Sequence, residues 1–133
     1  MVGATMNLSI AITKARIMDS SELKDRTKRF ALRVIRLTAA LPKTREGDVL
    51  GRQVLRSGTS IGANYREALR ASSRRHFIST LQIVLREADE TLYWLELILE
   101  SEAMKPSRLG PLISECRELV AIFVATIRTS KCR

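Results

Sequence analysis

The sequence predicts an all-α protein, folded as an antiparallel up-down-up-down four-helix bundle. Three observations lead there. Apolar residues recur at intervals of three and four in four successive stretches, the spacing of one face of an α-helix. The breaks between those stretches are short and carry residues that start or stop helices. Three prolines, six glycines and an aromatic content of 5% leave little room for many hairpins or a β-rich core. Short connections make successive helices antiparallel neighbours, and 133 residues suffice for one domain with a real core.

Residues 1–17 are expected to form a flexible N-terminal extension, with the bundle occupying 18–133. Ile10, Ile12 and Ile17 lie scattered among Thr, Ala, Lys14 and Arg16, so the segment is weakly amphipathic. No basic region precedes a continuous apolar run ending in a cleavage pattern, which argues against a secretory signal.

Asp19-Ser20-Ser21-Glu22 opens the first helix with capping oxygens and an acidic first turn. Leu23, Thr27, Phe30, Val34, Leu37 and Leu41 form its inward stripe, and Pro42 helps to stop it. A second stripe runs beside the first: Arg26, Arg29, Arg33 and Arg36 place four guanidinium groups on one flank. A solvated face normally alternates signs, whereas Glu22 and Asp25 sit only in the first turn. The flank therefore reads as anion-binding.

The second helix is expected from about Arg45 to Ala71. Leu55–Ala68 carries Gly58 and Gly62, which could mark a turn. However, Val54, Gly58, Ile61, Tyr65 and Ala68 keep helical spacing, so the stretch reads as helix. Each interior glycine costs a helix about 1 kcal/mol relative to alanine. Close approach by a neighbouring helix over the low ridge of Gly58, Thr59, Gly62 and Ala63 would return that cost. Arg52 and Arg56 lie one turn apart before the glycines, and Arg66 and Arg70 one turn apart after them. Asn64 and Glu67 are the polar residues nearest the packing stripe and read as a structural network. After the break at 72–75, where Ser73 can cap, Arg74 and Arg75 are expected at one end of the bundle.

The third helix, about Arg74 to Ser101, buries Phe77, Leu81, Val84, Ala88, Leu92 and Leu95. A second row, Ile78, Leu85, Leu92 and Leu99, together with Tyr93, Trp94, Leu97 and Ile98, widens its apolar surface beyond what one small monomer is expected to hide. That width predicts a homo-oligomer. Glu87 and Glu90 interrupt it beside Trp94 and are expected to pair with arginines of the second helix. Pro106 introduces the last helix, in which Leu109, Leu112, Ile113, Cys116, Leu119, Val120, Phe123 and Ile127 face inward. The tail, Thr129–Arg133, is expected to fray.

The formal charge of +9 is segregated: residues 14–75 carry +10 and residues 76–133 carry −1. A basic half points to phosphate backbones and salt-sensitive binding. Little in the chain supports catalysis or a bound cofactor. One histidine, His76, cannot supply the Glu-x-x-His pairs of di-metal bundles, so no metal is expected. Nothing gives Glu87 or Glu90 a nucleophile to serve. Cys116 and Cys132 form neither a disulfide framework nor a metal motif, which suits free thiols in a reducing cytoplasm. No run reaches the roughly 18 apolar residues of a membrane span, so no membrane partner is expected.

The stretch LPKTREGDVLGRQVLRSGTSIGANYREALRASSRRHFISTLQIVLREADETLYWLELILE, Leu41–Glu100, resembles the core of the bacterial four-helix bundle proteins related to the 23S rRNA intervening-sequence protein. RSGTSIGANYREA and EADETLYWLEL are its most specific pieces, and the resemblance runs from about Met18 to Lys131. The bundle is similar also to the accessory variability determinant of diversity-generating retroelements. The resemblance implies a homopentameric barrel of bundles, basic on its surface and associated with nucleic acid. In the retroelement case it also implies association with a reverse transcriptase. It carries over no catalytic residue. The expectation is a non-enzymatic oligomer that meets RNA or DNA through phosphate. Its contacts would come from Arg26, Arg29, Arg33, Arg36, Arg52, Arg56, Arg66, Arg70, Arg74 and Arg75, some of which pair instead with Glu67, Glu87 or Glu90. The competing expectation is a protein-interaction scaffold, for example for a reverse transcriptase.

Overall fold

The computed structural model describes residues 19–132. They form four helices: α1, Ser20–Ala39; α2, Arg45–Leu69; α3, Arg74–Glu100; and α4, Pro106–Lys131. No strand occurs among the described residues. The expected extension, residues 1–17, lies outside them.

Each helix start has a local cause. Side-chain oxygens of Asp19, Thr44 and Ser73 accept from the N–H groups of Glu22, Gly47 and His76 at 2.7, 3.0 and 3.0 Å. These bonds satisfy amides that a first turn leaves without partners. α4 has no side-chain cap and begins on Pro106, which has no N–H to satisfy. The connections at 40–44, 70–73 and 101–105 are too short for crossovers, so the chain runs up and down. α2 packs against α1 and α3, α3 packs against α2 and α4, and α1 meets α4 along a narrower contact.

The inward stripe of α1 is buried as its spacing predicts: Leu23, Thr27, Phe30, Val34, Leu37 and, just beyond the helix, Leu41. It meets Val54, Ile61, Leu81, Val84, Leu95, Leu119, Ile122 and Phe123 in one core. Tyr65 of α2 reaches across to Phe123 of α4, ring centroids 5.5 Å apart.

The glycine stretch is helical throughout. A Cβ built on Gly58 would lie 3.0 Å from both γ-methyls of Val34, and one on Gly62 would lie 3.2 Å from Thr27 Oγ1. The missing side chains thus set how closely α1 approaches α2. Thr59 is half-buried and Ala63 exposed, so Gly58 and Gly62 alone make the ridge. On the adjoining flank Ser57 faces α3, its Oγ 2.9 Å from Thr91 Oγ1.

Two expectations change. The row Ile78, Leu85, Leu92 and Leu99 is half-buried against the core of its own chain, because α3 lies between two neighbours rather than one. Only part of the width of α3 is therefore left over, most visibly Tyr93 at 54% exposure. The tail does not fray at Thr129: α4 continues to Lys131. Arg74 explains the extra turn, donating from Nε to the Ser130 carbonyl at 2.8 Å and from Nη2 to the Lys131 carbonyl at 3.1 Å. A cation at a helix C-terminus also complements the dipole there.

Candidate nucleic-acid interface

The arginine stripe of α1 faces the groove between α1 and α4, and the groove divides it. Arg26 is half-buried and forked onto Glu115, Nε to Oε2 at 2.8 Å and Nη2 to Oε1 at 2.7 Å, with Glu118 Oε1 at 3.2 Å. The hydrogen bond to Glu115 holds this guanidinium above its ordinary range against the opposing effect of burial. Arg26 is therefore committed to joining α1 to α4 and leaves the pool of cations open to phosphate. Arg29 pairs with Asp25 one turn back at 2.9 Å, both well exposed. Such a contact is worth little in water and yields easily. Together with Glu22 and Arg33 these groups line a mixed-sign cavity of about 600 Å³.

The second half of the stripe differs. Arg33 and Arg36 have no hydrogen-bonded or ion-paired partner among the described residues. Across the groove they meet not a carboxylate but Arg108, in the first turn of α4. The three line a cavity of about 150 Å³ with Leu37 and Leu112. Sequence reasoning left Arg108 out. It is a single arginine at the start of α4 with no arginine one turn away to make a stripe of its own, and the antiparallel register of α1 and α4 brings it to the stripe of α1.

On α2 and α3 the arginines also separate. Arg56 donates from Nη1 to Glu87 Oε2 at 3.3 Å and from Nη2 to Glu90 Oε1. The Trp94 indole donates to the same Glu90 oxygen at 3.3 Å. Glu87 is buried, so this link between α2 and α3 is the expected pairing of those carboxylates. The expected network does not extend to Glu67, which is exposed and has no ion pair among the described residues. Asn64 turns back on its own helix, donating to the Ser60 carbonyl at 2.8 Å. Both lie on the turn of α2 beyond the reach of Glu87, which pairs about two turns earlier with Arg56. Arg74 is held by α4, as described above. Arg52, Arg66, Arg70 and Arg75 are exposed without such partners among the described residues. The α2–α3 turn gathers Arg66, Arg70 and Arg75 at one end of the bundle, where Arg74 and Arg75 border a shallow hollow with Ile78, Ser79 and Gln82.

No group of three or more His, Cys, Asp or Glu is placed to hold a metal among the described residues. Cys116 is buried, donates to the Ala88 carbonyl at 3.4 Å, and has its thiol pushed up to about 12 chiefly by burial. Cys132 is exposed. No described helix is long and apolar enough to cross a membrane.

Residues 19–125 match the family model described as the 23S rRNA-intervening sequence protein. Among solved structures the chain is similar to a protein with unknown function from the S23 ribosomal protein family of Bacteroides thetaiotaomicron VPI-5482. The two are 39% identical with a TM-score of 0.77, over 84% of this chain and 99% of the other. No curated protein matches.

Proposed function

The chain belongs to the 23S rRNA-intervening sequence protein family, and from that premise we propose that it is a non-enzymatic, oligomeric bundle binding RNA or DNA through phosphate. The observation that carries the reading is the set of arginines left without carboxylates after the fold has used Arg26, Arg56 and Arg74. Arg33, Arg36 and Arg108 lie toward one end of the bundle, and Arg66, Arg70 and Arg75 at the other. The 25 residues of α2 set the two ends about 37 Å apart, a span over which a polyanion, but not a small ligand, could touch both. With few aromatic residues and no groove-reading motif, binding is expected to depend on phosphate and to discriminate sequences weakly.

Assembly of copies would multiply this field. Leu32, Ile35, Leu55 and Tyr93 remain exposed on one chain and favour a partner copy. A pentamer and a reverse-transcriptase partner, implied by the likeness to the accessory variability determinant, extend the same reading.

The test is retention on heparin and on a structured RNA as salt is raised, with mass measured in solution. Retention is expected to fall steeply, with a log–log slope near 0.9 per phosphate neutralised on duplex DNA and about 0.7 on single strands. Absence of RNA retention at low salt overturns nucleic-acid binding and leaves the scaffold reading. A stable single chain in dilute buffer overturns the assembly.

A further inference from the structure

We propose that the cleft between the second half of α1 and the first turn of α4 is a built seat for one phosphate group. The proposal deepens the nucleic-acid reading and rests on it for the occupant, a phosphate of the bound strand. Arg33, Arg36 and Arg108 line a small, open hollow of about 150 Å³ whose wall is mostly apolar. The hollow is open to solvent and large enough to admit one tetrahedral oxyanion. Leu37 and Leu112, both buried, form an apolar wall that weakens solvent screening and strengthens the field of the guanidinium groups.

The charge arrangement singles this cleft out. Along the same groove Arg26 is matched by Glu115 and Glu118. Two turns further along α1 comes Arg33, and two turns back along α4 from Glu115 comes Arg108, so cation meets cation. None of Arg33, Arg36 and Arg108 has a carboxylate partner among the described residues. Arg33 stands at the border of the two cavities, and Arg26 holds Glu115 and Glu118 on the far side. The first turn of α4 lacks a side-chain cap and adds field of the same sign. Three planar donors suit the oxygens of a phosphate, which they can fork.

The experiment titrates the full chain with inorganic phosphate against chloride at fixed ionic strength, following thermal melting and calorimetric binding. Phosphate is expected to raise the melting temperature of the wild type, as a ligand specific to the folded state does. In R33Q/R108Q its half-saturating concentration is expected to rise at least tenfold, while R86Q/R128Q, which removes two exposed arginines outside the cleft, behaves as wild type. R108E serves as the fold control: opposite Arg33 and Arg36 it is expected to melt higher than wild type without phosphate and to lose the phosphate response. A wild-type response no larger than that to chloride, or one unchanged in R33Q/R108Q, overturns the seat. RNA elution decides the occupant. Elution of R33Q/R108Q at lower salt than the charge-matched R86Q/R128Q supports a strand phosphate, and equal elution after loss of the phosphate response overturns it. A wild type that answers phosphate but retains no RNA defeats the nucleic-acid reading and leaves the seat standing.

Discussion

Replacing Gly58 by alanine sets two effects of known sign against each other. Alanine gains about 1 kcal/mol in helix propensity over an interior glycine. The new methyl, however, would stand 3.0 Å from both γ-methyls of Val34, whereas carbon pairs attract best at about 3.5–4.0 Å. Val34 is fully buried, and a β-branched residue in a helix has one strongly preferred rotamer. It cannot swing away, so α1 must shift outward. Overpacking of this kind costs about 1–3 kcal/mol, leaving a net loss of about 1 kcal/mol. Gly51 supplies the comparison: a Cβ there would meet only the terminal Cδ1 of Leu41, at 3.3 Å. That atom can move aside, so G51A is expected to gain up to about 1 kcal/mol.

The two variants, with the same formal change on the same helix, should therefore differ by about 2 kcal/mol. For a chain of this size that is a melting-temperature gap of roughly 6–10 °C. The V34A/G58A double variant should recover more than the single changes predict, with a coupling of about 1 kcal/mol, well outside the 0.3–0.5 kcal/mol usual for independent sites. Urea and thermal denaturation of the wild type, G51A, G58A, V34A and V34A/G58A measure all of this. Equal stability of G58A and G51A, or additivity within that error, would refute the claim that close approach of α1 explains the glycines.

Removing Arg26 as R26M strands Glu115 in a half-buried groove. Stability in urea is expected to fall by about 2 kcal/mol, partly restored by E115Q on that background. R56L, which unpairs the buried Glu87, is expected to cost about 1–2 kcal/mol, whereas R52L at an exposed site should stay within about 0.5 kcal/mol. Burial pushes the Cys116 thiol and the Tyr65 phenol each up to about 12, with a smaller contribution from Asp89 and Asp19 respectively. Between the ordinary values of 9.0 and 10.0 and the raised ones, the unfolded chain has lost protons that the folded chain keeps. Stability is thus complete below pH 9 and falls as pH rises toward 12. Denaturation series should show that fall, with C116A making it shallower and moving its onset from near pH 9 to near pH 10, where the Tyr65 phenol begins to contribute. At pH 8 a thiol reagent should modify Cys132 readily and Cys116 only after unfolding.

Periodicity made the inward faces legible because a helix buries what lies on one side of its own axis. Leu23, Thr27, Phe30, Val34 and Leu37 needed no knowledge of the partner. The glycines were legible for the same reason: a helical stretch that keeps Gly58 and Gly62 implies a close neighbour, though not that the neighbour is Val34 and Thr27. What depended on a second helix was not legible. The width of α3 is mostly taken up by α2 and α4 together, Glu67 faces solvent, and the end of α4 is held by an arginine 56 residues earlier in the chain. The partner of Arg26 lies 89 residues away. In each case the local pattern gave the surface but not what faces it.

The division of the α1 stripe follows from register rather than from composition. Val34 against Gly58 and Thr27 against Gly62 fix α1 on α2, and α2 and α3 together fix the place of α4. Once the core has set that alignment, opposition along the α1–α4 groove is no longer adjustable. Glu115 falls opposite Arg26, and Arg108 falls near Arg33 and Arg36. Sliding α1 by two turns would move a carboxylate toward Arg33, but it would also lift Val34 off Gly58 and Thr27 off Gly62. Packing fixes the alignment more strongly than exposed charge could, because an exposed ion pair contributes at most about 1 kcal/mol whereas misplacing a buried aliphatic residue costs several times that. The fold therefore tolerates three neighbouring arginines as a consequence of its core. An anion that enters the cleft relieves their mutual repulsion without disturbing the packing that caused it.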